Sequence, residues 1–148
     1  MISFCADDVP FTLANESAIA NWLLHVAQLE KSPIEELTYI FCSDHSLLQI
    51  NQQYLDHDYF TDVITFDYRD DPSDPIVGDI YLSVDRVADN STQFNVSTQH
   101  ELVRVMVHGL LHLIGYADDS AEQKTRMRAL EDQYLSAVDH YVPRGTPS

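Results

Sequence analysis

Apolar residues recur along the chain with two different periods, which predict four strands and five helices. Short runs rich in β-branched and aromatic residues predict strands at residues 1–5, 37–42, 61–68 and 78–82. Apolar residues spaced three and four apart predict helices, and each begins at a residue able to cap it: Asn15 or Ser17, then Ser43, Ser83, Ser97 and Ser120. We expect these helices to end, in the same order, before Pro33 and near Tyr54, Phe94, Ile114 and Val138.

The order of these elements predicts a single α+β domain. Strands and helices do not alternate as regular βαβ units, so a doubly wound sheet is not expected. The segment 97–114 is apolar almost all round, which predicts the central buried helix. Gly115 suits the position that ends this helix. We place the domain at residues 1–148, with 143–148 as a flexible tail.

Composition adds the class of protein. A chain of 148 residues that is 45% hydrophobic can bury a substantial core and is not disordered. No apolar run reaches the roughly 18 residues of a membrane span, and the first residues lack the basic stretch of a secretory signal. We therefore expect a cytoplasmic protein that has no membrane partner, with Cys5 and Cys42 buried and reduced.

The net charge of −16 argues against a nucleic-acid ligand. Proteins that bind nucleic acid usually carry a basic surface, because phosphate contacts dominate their affinity. The simplest interpretation of the acidity is a solubilising surface. If the ligand is a polyanion, it must be met by a local basic patch, by a metal ion or by a partner.

The predicted central helix contains a candidate metal site. His108 and His112 are four residues apart, so both imidazoles lie on one face of the helix, about 6 Å apart along its axis. Gly115 then turns the chain back, and Asp118 is placed to become a third ligand. Two histidines and one carboxylate form a known catalytic zinc set, which predicts one Zn²⁺ per chain, or another divalent metal in its place. Asp119 is the alternative third ligand.

Two observations limit this interpretation. A single buried histidine is more often a hydrogen-bonded core residue, but two of them in an apolar helix are costly without partners. Zinc peptidases with this helix carry a glutamate beside the first histidine as general base, and this chain has Gly109 there. The glycine therefore counts against a protease.

Three blocks of sequence resemble the YbeY family of bacterial rRNA-maturation factors. They are TDVITF at 61–66, GDIYLS at 78–83 and HGLLHLIGY at 108–116. The resemblance covers nearly the whole chain. It implies an α+β fold with a mostly parallel four-stranded sheet, and a metal-dependent, single-strand-specific endoribonuclease. It also implies partners in single-stranded rRNA and in the small ribosomal subunit with its associated proteins.

The chain departs from this family pattern at two positions. Asp118 stands where the family commonly has a third histidine, so the implied metal ligands are His108, His112 and Asp118. A carboxylate is a competent zinc ligand, but its charge makes the zinc a weaker Lewis acid. Leu55 stands after Asn51-Gln52-Gln53-Tyr54, where the family tends to carry an arginine credited with handling RNA.

Arg104 is a candidate replacement for that arginine. It precedes His108 by one helical turn, so its guanidinium can clamp a phosphate near the metal as a catalytic residue. The alternative is a salt bridge to Glu101, Asp118 or another carboxylate. No residue of the sequence is identified as a general base, although Asp62 and Asp79 fall in the family-like strands.

The expected function is a zinc-dependent endoribonuclease that matures the small-subunit rRNA 3′ end and takes part in ribosome quality control. Two other interpretations stay open. One is a metallohydrolase of another substrate, such as a peptide, which Gly109 disfavours. The other is a non-catalytic ribosome-assembly protein with a structural metal, which the charge and Leu55 favour.

Overall fold

Four strands form one sheet in the computed structural model, which describes residues 1–55 and 61–141. Strands β1 (Ile2–Ala6), β2 (Ile34–Cys42), β3 (Val63–Asp67) and β4 (Ile76–Ser83) lie in the order β1-β2-β4-β3. The β1–β2 and β2–β4 pairs are parallel, and β3 runs antiparallel to β4 at one edge. The expected mostly parallel sheet is therefore confirmed, with one antiparallel edge strand.

Five helices lie within the described residues, as the sequence predicted. They are α1 (Glu16–Leu29), α2 (Asp44–Leu55), α3 (Val84–Gln93), α4 (Thr98–Ile114) and α5 (Ala121–Val138). The hydroxyls of the four predicted serine caps each accept a hydrogen bond from the backbone N–H three residues on: Ser43, Ser83, Ser97 and Ser120. Helix α1 is the exception. Asn15 occupies its N-cap position in the left-handed conformation, and its side chain makes no capping hydrogen bond.

Helix α4 is the centre of the core. It packs on β3 and β4 and against α1, α3 and α5. Ten of its residues are buried, which confirms the central helix predicted from its apolar character. Burying each large aliphatic side chain contributes about 1.5–3 kcal/mol. The buried Tyr39 hydroxyl on β2 donates to the Met106 carbonyl at 2.9 Å, so a polar bond also joins the sheet to this helix.

Gly109 allows α4 to approach the sheet closely. A Cβ at this position would lie 2.9 Å from Cγ2 of Ile80 and 3.3 Å from Cγ2 of Val63. Real Cβ atoms do not approach heavy atoms to 2.9 Å. The position that holds the general base in zinc peptidases is therefore a packing contact here, with no room for a glutamate.

Some sequence predictions need correction. Strands β2 and β4 begin earlier than expected because Ile34 and Ile76 pair across them. Cys5 is exposed, whereas Cys42 is buried as expected; both thiols are free. The predicted tail at 143–148 lies outside the described residues. No helix in the described part of the chain is long and apolar enough to cross a membrane.

The packing at Gly109 generates a stability prediction. Alanine in place of glycine in a helix normally stabilises by about 1 kcal/mol. Here overpacking against Ile80 costs about 1–3 kcal/mol, so we expect Gly109→Ala to lower the free energy of unfolding. Urea denaturation measures the change, and Ile80→Ala should relieve part of it in the double variant. A Gly109→Ala protein more stable than the parent would contradict this packing.

Candidate metal centre

His108 and His112 lie on the same face of α4, as the spacing predicted. Their Nε2 atoms are 3.0 Å apart, and the planes of the two rings are at 82° to each other. The side chains are 16% and 25% exposed, so both reach solvent from a helix that is mostly buried. The two imidazoles therefore extend from the core to the surface.

Asp118 reaches the two histidines through the turn at Gly115. This glycine has φ 129, which few side-chain-bearing residues adopt, and its N–H bonds to the Leu111 and His112 carbonyls. The reversed chain brings Oδ2 of Asp118 to 3.4 Å from Nε2 of both histidines. One potential ligand atom from each residue lies within 4.8 Å of the other two.

The hydrogen-bond partners of the histidines leave their Nε2 atoms unprotonated when the rings are neutral. His112 Nδ1 lies 3.0 Å from the Tyr116 carbonyl, and His108 Nδ1 lies 2.6 Å from Oε2 of Glu131. A carbonyl and a carboxylate only accept, so each Nδ1 carries the proton. Two nitrogen lone pairs and a carboxylate oxygen thus converge. A divalent cation could bind between these three acceptors, and this set of ligands is of the kind that binds Zn²⁺.

Asp119, the alternative third ligand, does not join this group in the structure. Its backbone N–H donates to Oε1 of Gln123, as does that of Ser120, and this belongs to the capping box that starts α5. The structure therefore brings together His108, His112 and Asp118, and their binding of a metal stays a prediction.

Glu131 is a site residue that the sequence analysis missed. It lies on the buried face of α5 and contacts both His108 and Arg104. Burial alone would raise the pKa of Glu131, but hydrogen bonds from His108 and Arg104 outweigh it and hold the pKa below its ordinary value. Its signal in the sequence was a carboxylate on the apolar stripe of α5, between Met127 and Tyr134.

Arg104 lies behind the metal site in ion pairs. Its guanidinium binds Glu101 through Nε and Nη2 and Glu131 through Nη1, and its side chain is 13% exposed. The hydrogen bonds to Glu101 raise the pKa of Arg104 most. The salt bridge to Glu101, which the sequence analysis gave as an alternative, is thus present. The predicted phosphate contact is not tested by this arrangement.

A cleft of about 310 Å³ adjoins the two histidines and Asp118. Its other walls are residues 61–65, which lead into and begin β3, and, from α2, Asn51 and Leu55. Leu55 therefore faces the cleft at the position where the family arginine was expected. Burial raises the pKa of Asp62 in this cleft, although His108 and Arg104 act against it. Asp79 lies elsewhere, accepting a hydrogen bond from the Tyr68 hydroxyl.

The fold and this site define an α+β protein with a candidate metal centre on its central helix. A model of the family described as "Endoribonuclease YbeY" matches residues 3–139. The chain is 48% identical over 135 residues to the endoribonuclease YbeY of Cytophaga hutchinsonii and 47% identical over 135 residues to that of Flavobacterium psychrophilum. Each alignment covers 91% of this chain and 94% of the relative.

A solved structure supports the fold. The solution structure of TM1509 from Thermotoga maritima matches with a TM-score of 0.67 and 25% identity, over 95% of this chain and 90% of that one. Together with the family match, these likenesses show that the chain is an enzyme of the endoribonuclease YbeY family. The resemblance stated from the three sequence blocks is confirmed.

The geometry predicts which substitutions remove the metal. His108→Ala, His112→Ala and Asp118→Ala should each weaken Zn²⁺ binding, the histidines most, because each removes one of three converging ligand atoms. Titration of the purified proteins with Zn²⁺ against a competing chelator measures the affinity. His100→Ala on the exposed part of α4 and Asp119→Ala are matched controls and should bind as the parent does. Unchanged affinity in Asp118→Ala would show that another group completes the site.

Proposed function

We propose that this chain is a zinc-dependent, single-strand-specific endoribonuclease. We further propose that it matures the 3′ end of small-subunit rRNA in the cytoplasm and contributes to ribosome quality control. The observation that supports the chemistry best is the convergence of His108, His112 and Asp118 at the wall of an open cleft. The family membership supports RNA as the substrate.

The number of protein ligands favours a catalytic metal over a structural one. Structural zinc sites are closed by four protein ligands, whereas catalytic sites have three and leave one position for water or substrate. Within residues 1–55 and 61–141 three residues converge, and both imidazoles are partly exposed to the cleft. A bound Zn²⁺ would supply a Lewis acid for the scissile phosphate and lower the pKa of a water molecule.

The charge of the cleft supports recognition of phosphate by the proposed metal. The cleft residues that the structure describes include no Lys or Arg, and Asp62 and Asp118 are both acidic. Two neutral imidazoles and one carboxylate would leave a site with bound Zn²⁺ a net charge of about +1. The remaining lining offers hydroxyl groups from Thr61 and Thr65, which suit bases and riboses.

One alternative retains a specific observation in its favour. A ribosome-assembly protein with a structural metal would not need basic residues in the cleft, and Leu55 occupies the position of the family arginine. The peptidase alternative has no such support, since Gly109 leaves no space for the glutamate base. Arg104 stays a candidate for substrate binding only if its pairs with Glu101 and Glu131 open.

Cleavage of labelled RNA separates these functions. We expect the purified protein with Zn²⁺ to cut single-stranded RNA, to leave duplex RNA and casein-like peptides intact, and to lose activity with a chelator. His112→Ala should be inactive, because it removes a metal ligand, while the exposed His45→Ala should retain full activity.

The salt dependence gives a second measurement on the same assay. The described cleft residues include no basic residue, so few counterions are released when RNA binds. KM should therefore change little between 50 and 200 mM salt, unlike the roughly thousandfold loss of affinity typical of many phosphate contacts.

RNA cleavage that persists in His112→Ala would show a contaminating nuclease. A metal-loaded protein that binds the ribosome but cuts no RNA would support the assembly protein instead.

A further inference from the structure

A buried chain of charged groups lies directly behind His108. Glu131 is 2% exposed, and its Oε2 is 2.6 Å from Nδ1 of His108. Its other oxygen, Oε1, accepts a hydrogen bond from Nη1 of Arg104 at 2.8 Å. Both oxygens of one buried carboxylate are therefore engaged, one by the candidate metal ligand and one by a guanidinium.

The far side of Arg104 is fixed by a second buried carboxylate. Glu101 is 1% exposed and accepts from Nε at 2.8 Å and from Nη2 at 2.5 Å. A guanidinium has only donors, and the two hydrogen bonds to Glu101 fix the orientation of its plane. Arg104 therefore presents a donor to Glu131 in a fixed direction, and Oε1 of Glu131 must be an acceptor.

We propose that Glu131 is a positioning residue for the metal ligand His108, and that Arg104 sets the orientation of Glu131. This inference rests on the metal site proposed above. As an acceptor, the carboxylate requires the proton of His108 on Nδ1, which leaves the Nε2 lone pair directed at His112 and Asp118. Arg104 thus acts on the reaction through Glu131 and His108, one helical turn from the metal.

The arrangement makes an unusual prediction for the isosteric variant Glu131→Gln. Because Arg104 can only donate, it selects the amide rotamer with the oxygen toward the guanidinium and the NH₂ toward His108. That NH₂ donates to Nδ1, so the proton of the imidazole moves to Nε2 and blocks the lone pair that binds the metal. Glu131→Met has no donor to impose this tautomer, so it should harm metal binding less than the more conservative glutamine.

Two measurements on the full chain test the proposal. Nitrogen NMR of the metal-free proteins, recorded with the imidazoles neutral, reports which ring nitrogen of His108 carries the proton. We expect Nδ1–H in the parent, Nε2–H in Glu131→Gln and a mixture in Glu131→Met. Titration with Zn²⁺ alone against a chelator should give about 10- to 100-fold weaker binding for Glu131→Gln and a smaller loss for Glu131→Met.

Two control variants on α5 distinguish the positioning of His108 from the loss of a negative charge and from a loss of protein stability. Glu122→Gln removes an exposed carboxylate in the first turn of α5 and should leave the affinity for Zn²⁺ unchanged. Met127→Ala weakens the packing of α5 in the core and should lower the melting temperature with the His108 tautomer unaltered. A merely structural role of Glu131 would move the melting temperature in the same way.

The outcomes distinguish this proposal from the one on which it rests. If the parent protein binds no Zn²⁺, the metal site itself is wrong. If the parent binds Zn²⁺ while both Glu131 variants retain the Nδ1–H tautomer and the parental affinity, the positioning role is wrong and the metal site stands. Should Glu131→Gln fail to fold, Glu131→Met against the parent still decides, because the share of Nδ1–H must fall.

Discussion

The close approach of α4 to the sheet is the constraint on which the rest of the molecule depends. Gly109 removes the side chain where the helix crosses β4, and Ile80 fills the space against it. The Tyr39 hydroxyl joins the sheet to the Met106 carbonyl in the same region. Because the helix is held this closely, its one polar face is fixed beside β3, and His108 and His112 open onto the cleft there.

Burying polar groups on the central helix is destabilising, and the structure offsets this by pairing each of them with a partner. An uncompensated buried charge destabilises by several kcal/mol, so each member of the Glu101–Arg104–Glu131 set needs its partners. His108 completes this set through Nδ1, and His112 satisfies its own Nδ1 at the Tyr116 carbonyl. The hydrogen bonds that stabilise the two imidazoles also aim their Nε2 atoms at one point. Stability and ligand geometry therefore have the same origin.

The sequence predicted the parts of the site that are local in the chain. His108, His112, Gly115 and Asp118 lie within one helix and the turn that follows, so helical spacing and a glycine suffice to bring them together. Spacing alone could not decide whether Asp118 or Asp119 is the third ligand, because the capping box of α5 orients that segment. Gly109 in the sequence indicated that the glutamate base of the peptidases is absent. Only the structure shows that Ile80 on the sheet leaves no space for a side chain at this position.

The contacts that distant elements make in the site could not be predicted from the sequence. Glu131 is on α5, and nothing in its local pattern identifies His108 as its partner. The sequence predicted that Arg104 contacts a phosphate or pairs with Glu101, Asp118 or another carboxylate, and the structure identifies Glu131 as its second partner. Strand β2 was predicted too short because Glu35 and Glu36 interrupt the apolar pattern near its start, and β4 because its first residues directly follow the acidic segment 69–75. The parallel pairing of Ile34 with Ile76 extends the ladder nonetheless.

X-ray absorption at the zinc edge of the metal-loaded protein tests the central claim most directly, because it reports the atoms bound to the ion. The account predicts one zinc per chain with two imidazole nitrogens and oxygen in its first shell, from His108, His112 and Asp118. Sulfur ligation, which would implicate Cys5 or Cys42, or a shell without imidazole would contradict it.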